Sequence, residues 1–366
     1  MAATDDPAPA DVALCIDGEV YARLAAVIQH LCVGLVDLNA RVRLLSSAPQ
    51  AEALTLGPIQ MIVHQDLTWP LRRQRLRQIV EVLAVRPPTV VHAISRSSLR
   101  VAQAVAAAFD IDLVLHLTAR YDVAALQRAD GQRIQHVIAA SHPLYALAEA
   151  TGRVRLDAIS LIRPGVLRTA EPTCFNKPNT VPALLCTADF EAGRGVDHLI
   201  HAVRMLKDRG HELLAFLVGS GSRERELRKL ARSRKVVRQV IFARPKADPA
   251  QVMSGADIFV RPGPERAVTG NSLLAMATGT VVVTCAGGVL DHCVDGQNAI
   301  VCSEPSPEAL ADGIERLLSD HEYARTLAAA GQAHIKTHHS VSAMAKQTLA
   351  VYHHLAMRRT TYAMPT

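Results

Sequence analysis

Short runs of consecutive apolar residues recur along the chain, and most are separated by stretches with apolar positions three and four apart. In the first half the runs fall at residues 12–16, 41–47, 59–64, 89–95, 112–118, 136–141 and 158–164. Because they lack alternation of apolar and polar positions, they predict strands covered on both faces. The intervening stretches, such as 19–38 and 72–85, carry helical periodicity, so the pattern predicts a parallel sheet wrapped by helices.

The pattern restarts after a stretch rich in Pro, Thr and Asn, residues 168–182, with further runs at 183–188, 213–219, 240–243, 257–262, 280–286 and 299–302. Beyond residue 302 the periodicity is helical, over 306–320, 321–337 and 340–357, with Ser306 and Pro307 in place as N-cap and first helical residue. The predicted class is α/β with two Rossmann-like domains. The first spans 11–167, a linker spans 168–182, the second spans 183–338, and a closing helix, 339–357, packs back on the first domain. Ligands of such sheets bind outside the carboxyl ends of the strands, so the expected site is a cleft between the domains.

Composition narrows the function classes. The 366 residues exceed one core, and 49% hydrophobic with 20% charged residues suits a globular protein. Aromatics are 4% of the chain and the net charge of +6 is interleaved with acids, which argues against a nucleic-acid partner. Two basic patches, 72–78 and 222–235, have two readings: solvated faces of amphipathic helices, or contacts with anionic lipid headgroups. The 7 cysteines show no Cys-x-x-Cys spacing and lie mostly in apolar runs, as buried reduced thiols do. The acidic start and the lack of an apolar run near the length of a membrane span lead to an expected cytoplasmic location, with the inner membrane face as a peripheral station.

The series "GRGVDHLIHAVRML", "LAFLVGSGSRERELRKLA", "VIFARP", "VMSGADIFVRPGPE" and "LLAMATGTVVVTCAGGVLDHCVDGQNAIVC" resembles, in order and spacing, the carboxy-terminal domain of GT-B glycosyltransferases of family 4. The resemblance covers about residues 183–340, and the first half is similar to the family's acceptor domain only loosely. It implies a GT-B fold, two doubly wound Rossmann-like domains facing a central cleft. The implied activity is retaining, metal-independent transfer from a nucleotide-sugar or related activated donor to a hydroxyl acceptor, glycan or lipid-linked, with no cofactor.

Carried over residue by residue, the resemblance gives a mixed site. Ala188 and Asp189 stand where the family has a Gly-Arg pair, and Arg194 stands for its lysine, still able to grip phosphate. Gly219 and Gly221 match the loop flanking the nucleotide, or form an ordinary tight turn. The family's two glutamates fall on Arg266 and Leu274, and Glu265 takes the first role if the loop slips by one residue. Thr269, Gly270, Asn271 and Ser272 begin a helix whose amides can bind phosphate, with Arg261 and Arg266 as replacement cations; alternatively the turn only caps the helix and the arginines face solvent.

Asp291, after Gly287 and Gly288, either contacts the donor or caps a turn. In the first half, His92 is placed at a strand end and His116 two residues before Thr118, the position of the acceptor-side histidine; His116 also reads as a core histidine. Gly18 and Glu19 match the acceptor-side loop. The implied catalytic set is Glu265, His92 and His116, with no metal. Two functional readings follow: a transferase with a rewired donor site, or a catalytically inactive GT-B homologue that serves as partner or stabilising subunit of a glycosyltransferase. A GT-B epimerase is a third, for which the chain offers few carboxylates.

Overall fold

A computed structural model of the chain describes residues 9–48, 59–65, 70–127, 134–167, 174–176, 180–244 and 252–363, with side chains to 359. The described residues form two parallel-sheet α/β units, the fold class read from the apolar runs. Every predicted run contains an observed strand.

The first unit comprises residues 1–165 and 340–366. Its strands are β1 (Asp11–Ile16), β2 (Arg41–Ser46), β3 (Gln60–Val63), β4 (Val90–Ile94), β5 (Asp112–Leu117), β6 (Ile134–Ala139) and β7 (Ile159–Leu161), in the order β3-β2-β1-β4-β5-β6-β7. All neighbours pair in parallel, Val12 with both Val42 and Val90. The inner strands are buried end to end, as strands covered on both faces must be.

Helix α1 (Gly18–Asp37) follows β1, and Asp17 caps it by accepting from the amides of Glu19 and Val20, each at 2.9 Å. By length and hydropathy this 20-residue helix is apolar enough to cross a membrane, contrary to the expectation that no run approached that length. Here it is a core helix with Leu24, Ile28, Leu31 and Leu35 buried. Helices α2 (Arg72–Ala84), α3 (Leu99–Phe109) and α4 (His142–Glu149) complete the first stretch of the unit.

The second unit spans 166–339. Its strands are β8 (Ala183–Thr187), β9 (Leu214–Val218), β10 (Val240–Ala243), β11 (Ile258–Val260), β12 (Val281–Cys285) and β13 (Ile300–Cys302), in the order β10-β9-β8-β11-β12-β13. Around them lie α5 (Val196–Asp208), α6 (Glu224–Ser233), α7 (Gly270–Ala277), α8 (Pro307–Ser319) and α9 (His321–His338). Ser306 caps α8 with a bond from the Ala309 amide, and Pro307 occupies its first turn.

The chain then returns to the first unit as α10 (Val341–Ala363). The division falls after Gly165 and after His339, where the sequence reading stood at 167 and 338; residues 168–173 and 177–179 of the expected linker lie outside the described residues. Helix α10 lies close to α1 at Gly34, where a Cβ would sit only 2.8 Å from that of Ala345.

Candidate functional site

In each sheet the strand order reverses once, between β1 and β4 in the first unit and between β8 and β11 in the second. Loops leaving the two strands at such a point diverge and leave room for a ligand. In the second unit the loops after β8 and β11 are held backbone to backbone. Gly195 has φ of 75°, and a Cβ there would lie 2.3 Å from the Pro262 carbonyl oxygen. A Cβ on Gly263 would lie 3.2 Å from the Arg194 carbonyl oxygen.

Side chains tie the same junction. The Asn271 amide donates to the Thr187 hydroxyl at 2.8 Å, and Arg261 donates to the Thr187 carbonyl at 2.8 Å. The "GSGS" glycines serve equally close approaches: Cβ atoms on Gly219 and Gly221 would lie 1.9 Å from the Ala188 oxygen and 2.5 Å from the Phe190 oxygen. Ser222 donates its amide and hydroxyl to the Glu191 carboxylate at 2.7 and 2.6 Å. Gly288 in turn packs on the Glu265 backbone, 2.9 Å from its nitrogen and oxygen to a Cβ. Loops 188–195, 219–223, 261–269 and 286–292 therefore form one surface at the carboxyl edge of the sheet.

The charges on this surface sort into two kinds. Arg261 and Glu265, assigned separate roles from the sequence, are the two halves of one largely buried ion pair, Nε to Oε1 at 2.7 Å. The Thr269 hydroxyl also donates to Oε1, at 2.9 Å, so Glu265 shapes the loop leading into α7. Thr269 thereby makes no side-chain cap bond to α7. Arg266 and Arg194 are exposed, and Arg194 lies 3.5 Å from Asp189. These two guanidinium groups are the solvent-facing cations among the arginines assigned to donor binding.

Inside the edge, Ser272 meets Nε2 of His292 at 3.1 Å, and Asp291 sits half-buried beside that histidine. Burial, together with the neighbouring His339, lowers the His292 pKa to about 3, so the ring is neutral and its Nε2 can accept from Ser272. His292 carries no motif signal in the sequence beyond its place after Gly287 and Gly288. Leu274, where the resemblance calls for a carboxylate, is buried and belongs to the core.

In the first unit His92 lies in the middle of β4, not at a strand end, and is fully buried. Its Nδ1 is hydrogen-bonded to the Tyr352 hydroxyl of α10 at 2.7 Å, while Nε2 has no hydrogen-bond partner. His116 in β5 stacks on it with ring centroids 5.4 Å apart, and its Nδ1 is likewise unpartnered. Burial lowers the His92 pKa and brings that of His116 to about 4. The sheet order stacks these two histidines on each other, His92 fully buried and His116 buried beside it. Gly18 opens α1 and Glu19 is exposed beside it.

The first unit's own switch point carries residues the sequence reading missed. The Ser97 hydroxyl, after β4, donates to the carboxylate of Asp17, after β1. Arg23 donates to the carbonyl and hydroxyl of Thr118 at 3.3 and 3.2 Å. Asp122, fully buried, accepts from the Ser95 hydroxyl at 2.6 Å and from the amides of Arg96, Thr118 and Ala119 at 2.9, 2.8 and 2.8 Å. These bonds hold Ser95 at φ 77°, a conformation rare outside glycine, and fix the loops after β4 and β5 to each other. Six scattered polar residues, Asp17, Arg23, Ser95, Ser97, Thr118 and Asp122, have no spacing that announces such a knot. Among the described residues, no group of three or more His, Cys, Asp or Glu is placed to hold a metal.

Residues 168–334 match the family described as glycosyl transferases group 1. A glycogen synthase of Mycobacterium tuberculosis is 27% identical over 208 residues, 56% of this chain and 50% of that protein. An uncharacterized glycosyltransferase of Methanocaldococcus jannaschii is 28% identical over 162 residues, 43% of this chain and 41% of that one. The aligned region thus spans about half the length of the curated relatives. Among solved structures, Anabaena HepE in complex with UDP-glucose superposes with a TM-score of 0.76 at 17% identity, covering 93% of this chain and 99% of that one. A sucrose-phosphate synthase of Thermosynechococcus elongatus gives 0.76 at 19% identity, over 95% and 100%. The two-domain architecture is therefore that of GT-B glycosyltransferase structures.

Proposed function

We propose that the chain is a cytoplasmic glycosyltransferase that moves a sugar from a nucleotide-sugar donor to a hydroxyl acceptor, with retention and without a metal. The observation that carries this reading is the convergence of loops 188–195 and 261–271 at the β8/β11 switch point, inside the segment that matches group 1 glycosyl transferases. A nucleoside diphosphate leaving group needs its charge stabilised. Arg194, Arg266 and the first amides of α7 supply that stabilisation in this reading. Glu265 acts through Arg261 and Thr269, as a positioning residue. Asp17, Ser97 and Arg23 mark the acceptor side, in place of His92 and His116.

UDP-glucose is the first donor to test, because the HepE structure was solved in complex with it. Calorimetry is expected to show UDP-glucose binding that weakens about tenfold or more in each of Arg194→Ala and Arg266→Ala, the loss of a charge-assisted bond. No binding of any uridine, guanosine or adenosine diphosphate sugar would sink the proposal. Donor binding with no turnover on any hydroxyl acceptor would support the partner-subunit reading instead.

A further inference from the structure

The two basic patches of the sequence differ in the fold. In α6, Arg228 pairs with Glu224 at 2.8 Å, and Arg223, just before the helix, pairs with Glu226 at 2.7 Å and lies 3.8 Å from Asp197. That patch is compensated internally, as a solvated helix face is. In α2, Arg72, Arg73, Arg75 and Arg77 stand against one acid, Glu81. No carboxylate among the described residues pairs with Arg72, Arg73 or Arg77, and Arg73 and Arg77 are exposed.

The same helix is poorly covered. Only Ile79 and Leu83 of its 13 residues are buried. Val82 is 51% exposed, Val85, just past the helix, 92%, and Leu71, just before it, 48%. Between α2 and the edge strand β3 lies an open pocket of about 350 Å³, with Ile62, Val63, Leu71, Ile79 and Val82 among its walls and Arg75 beside them. Aliphatic side chains left in water on a helix that also exposes Arg73 and Arg77 suit a partner that is apolar and anionic at once.

We propose that this face of the first unit docks on an anionic lipid bilayer, with the α2 arginines at the headgroup phosphates and Leu71, Val82 and Val85 in the acyl boundary. Charge complementarity identifies the occupant: three unpaired guanidinium groups with exposed valines fit phosphate over hydrocarbon. A nucleic acid would meet the charge and leave the valines in water, and among the described residues lining the pocket there is no Phe, Tyr or Trp for a base to stack on. The inference is independent of sugar transfer, since α2 lies in the first unit and the donor surface in the second.

The test is vesicle flotation with the full chain, using phosphatidylcholine vesicles with and without phosphatidylglycerol. Binding is expected only with phosphatidylglycerol and is expected to fall as salt rises. Each arginine removed weakens it about fivefold, so Arg73→Glu with Arg77→Glu lowers partitioning well over tenfold. Val82→Asp with Val85→Asp is expected to weaken it too, and circular dichroism verifies that both variants stay folded. If the valine variant unfolds, the arginine variant carries the test alone. Absence of flotation, equal binding to both vesicle types, or unchanged binding of the arginine variant would each overturn the proposal, as would tighter binding to a short DNA duplex that the valine variant leaves unchanged. UDP-glucose binding by the same preparation reads the donor site separately, so failure of one proposal leaves the other standing.

Discussion

Gly193 and Gly195 lie two residues apart in the loop after β8 and share a left-handed backbone, φ 74° and 75°, yet their surroundings differ completely. A Cβ on Gly193 meets nothing within 4 Å; one on Gly195 falls 2.3 Å from the Pro262 carbonyl oxygen. Gly193→Ala therefore isolates the conformational cost of a left-handed alanine, about 1–2 kcal/mol. Gly195→Ala adds a clash that forces Pro262 back by roughly 0.7 Å to reach the shortest tolerated contact, 3.0 Å. Overpacking of this kind costs about 1–3 kcal/mol, for a total of about 2–5 kcal/mol.

Urea unfolding followed by circular dichroism is expected to rank the variants in that order, with Gly195→Ala more costly by about 1–3 kcal/mol. UDP-glucose calorimetry on the folded proteins should show Gly195→Ala losing affinity, because the shift separates Arg194 from the 261–269 loop, while Gly193→Ala binds nearly as the parent. Equal destabilisation by the two substitutions would refute the close approach of the two loops as the reason for Gly195.

Three further outcomes follow from the geometry. Glu265→Gln leaves the Arg261 guanidinium without its counter-charge in a largely buried place and should cost about 3 kcal/mol in chemical denaturation, whereas Arg261→Met with Glu265→Leu should cost less than that single change. Tyr352→Phe strips the hydroxyl from His92 Nδ1 and should lower stability by about 1–3 kcal/mol, visible as a lower urea midpoint. Acidification should destabilise the fold through His116 and His136, whose pKa values are pushed down to about 4, and His292, at about 3. The unfolded rings take up protons near pH 6.5 and the folded ones only far below, so stability is full above about pH 6.5 and falls toward pH 4, by up to ~3 kcal/mol per histidine. Melting temperatures measured across that range, compared with His116→Gln, check the assignment.

The architecture was legible in the sequence because strands buried on both faces must be apolar at successive positions, which leaves little room for another reading of 12–16 or 281–285. The N-cap of α8 is local and equally direct, Ser306 before Pro307. Site residues fared differently because their roles depend on partners distant in sequence. Arg261 and Glu265 are four apart and looked like two separate groups; only the course of the loop makes them one ion pair. His92 and His116 belong to adjacent strands, and it takes α10, arriving some 260 residues later with Tyr352, to enclose His92. Asp122 gathers donors from the loops after β4 and β5, which no periodicity records.

The first unit is discontinuous: its strands come from the first 165 residues, and the helix that encloses His92 comes from residues beyond 339. On a ribosome the intervening unit, 166–339, is contiguous and can complete its sheet as soon as it emerges. The earlier-made sheet must wait for residues 341–363 before His92 meets Tyr352. The order of synthesis and the order in which the two units have all their residues available are thus inverted.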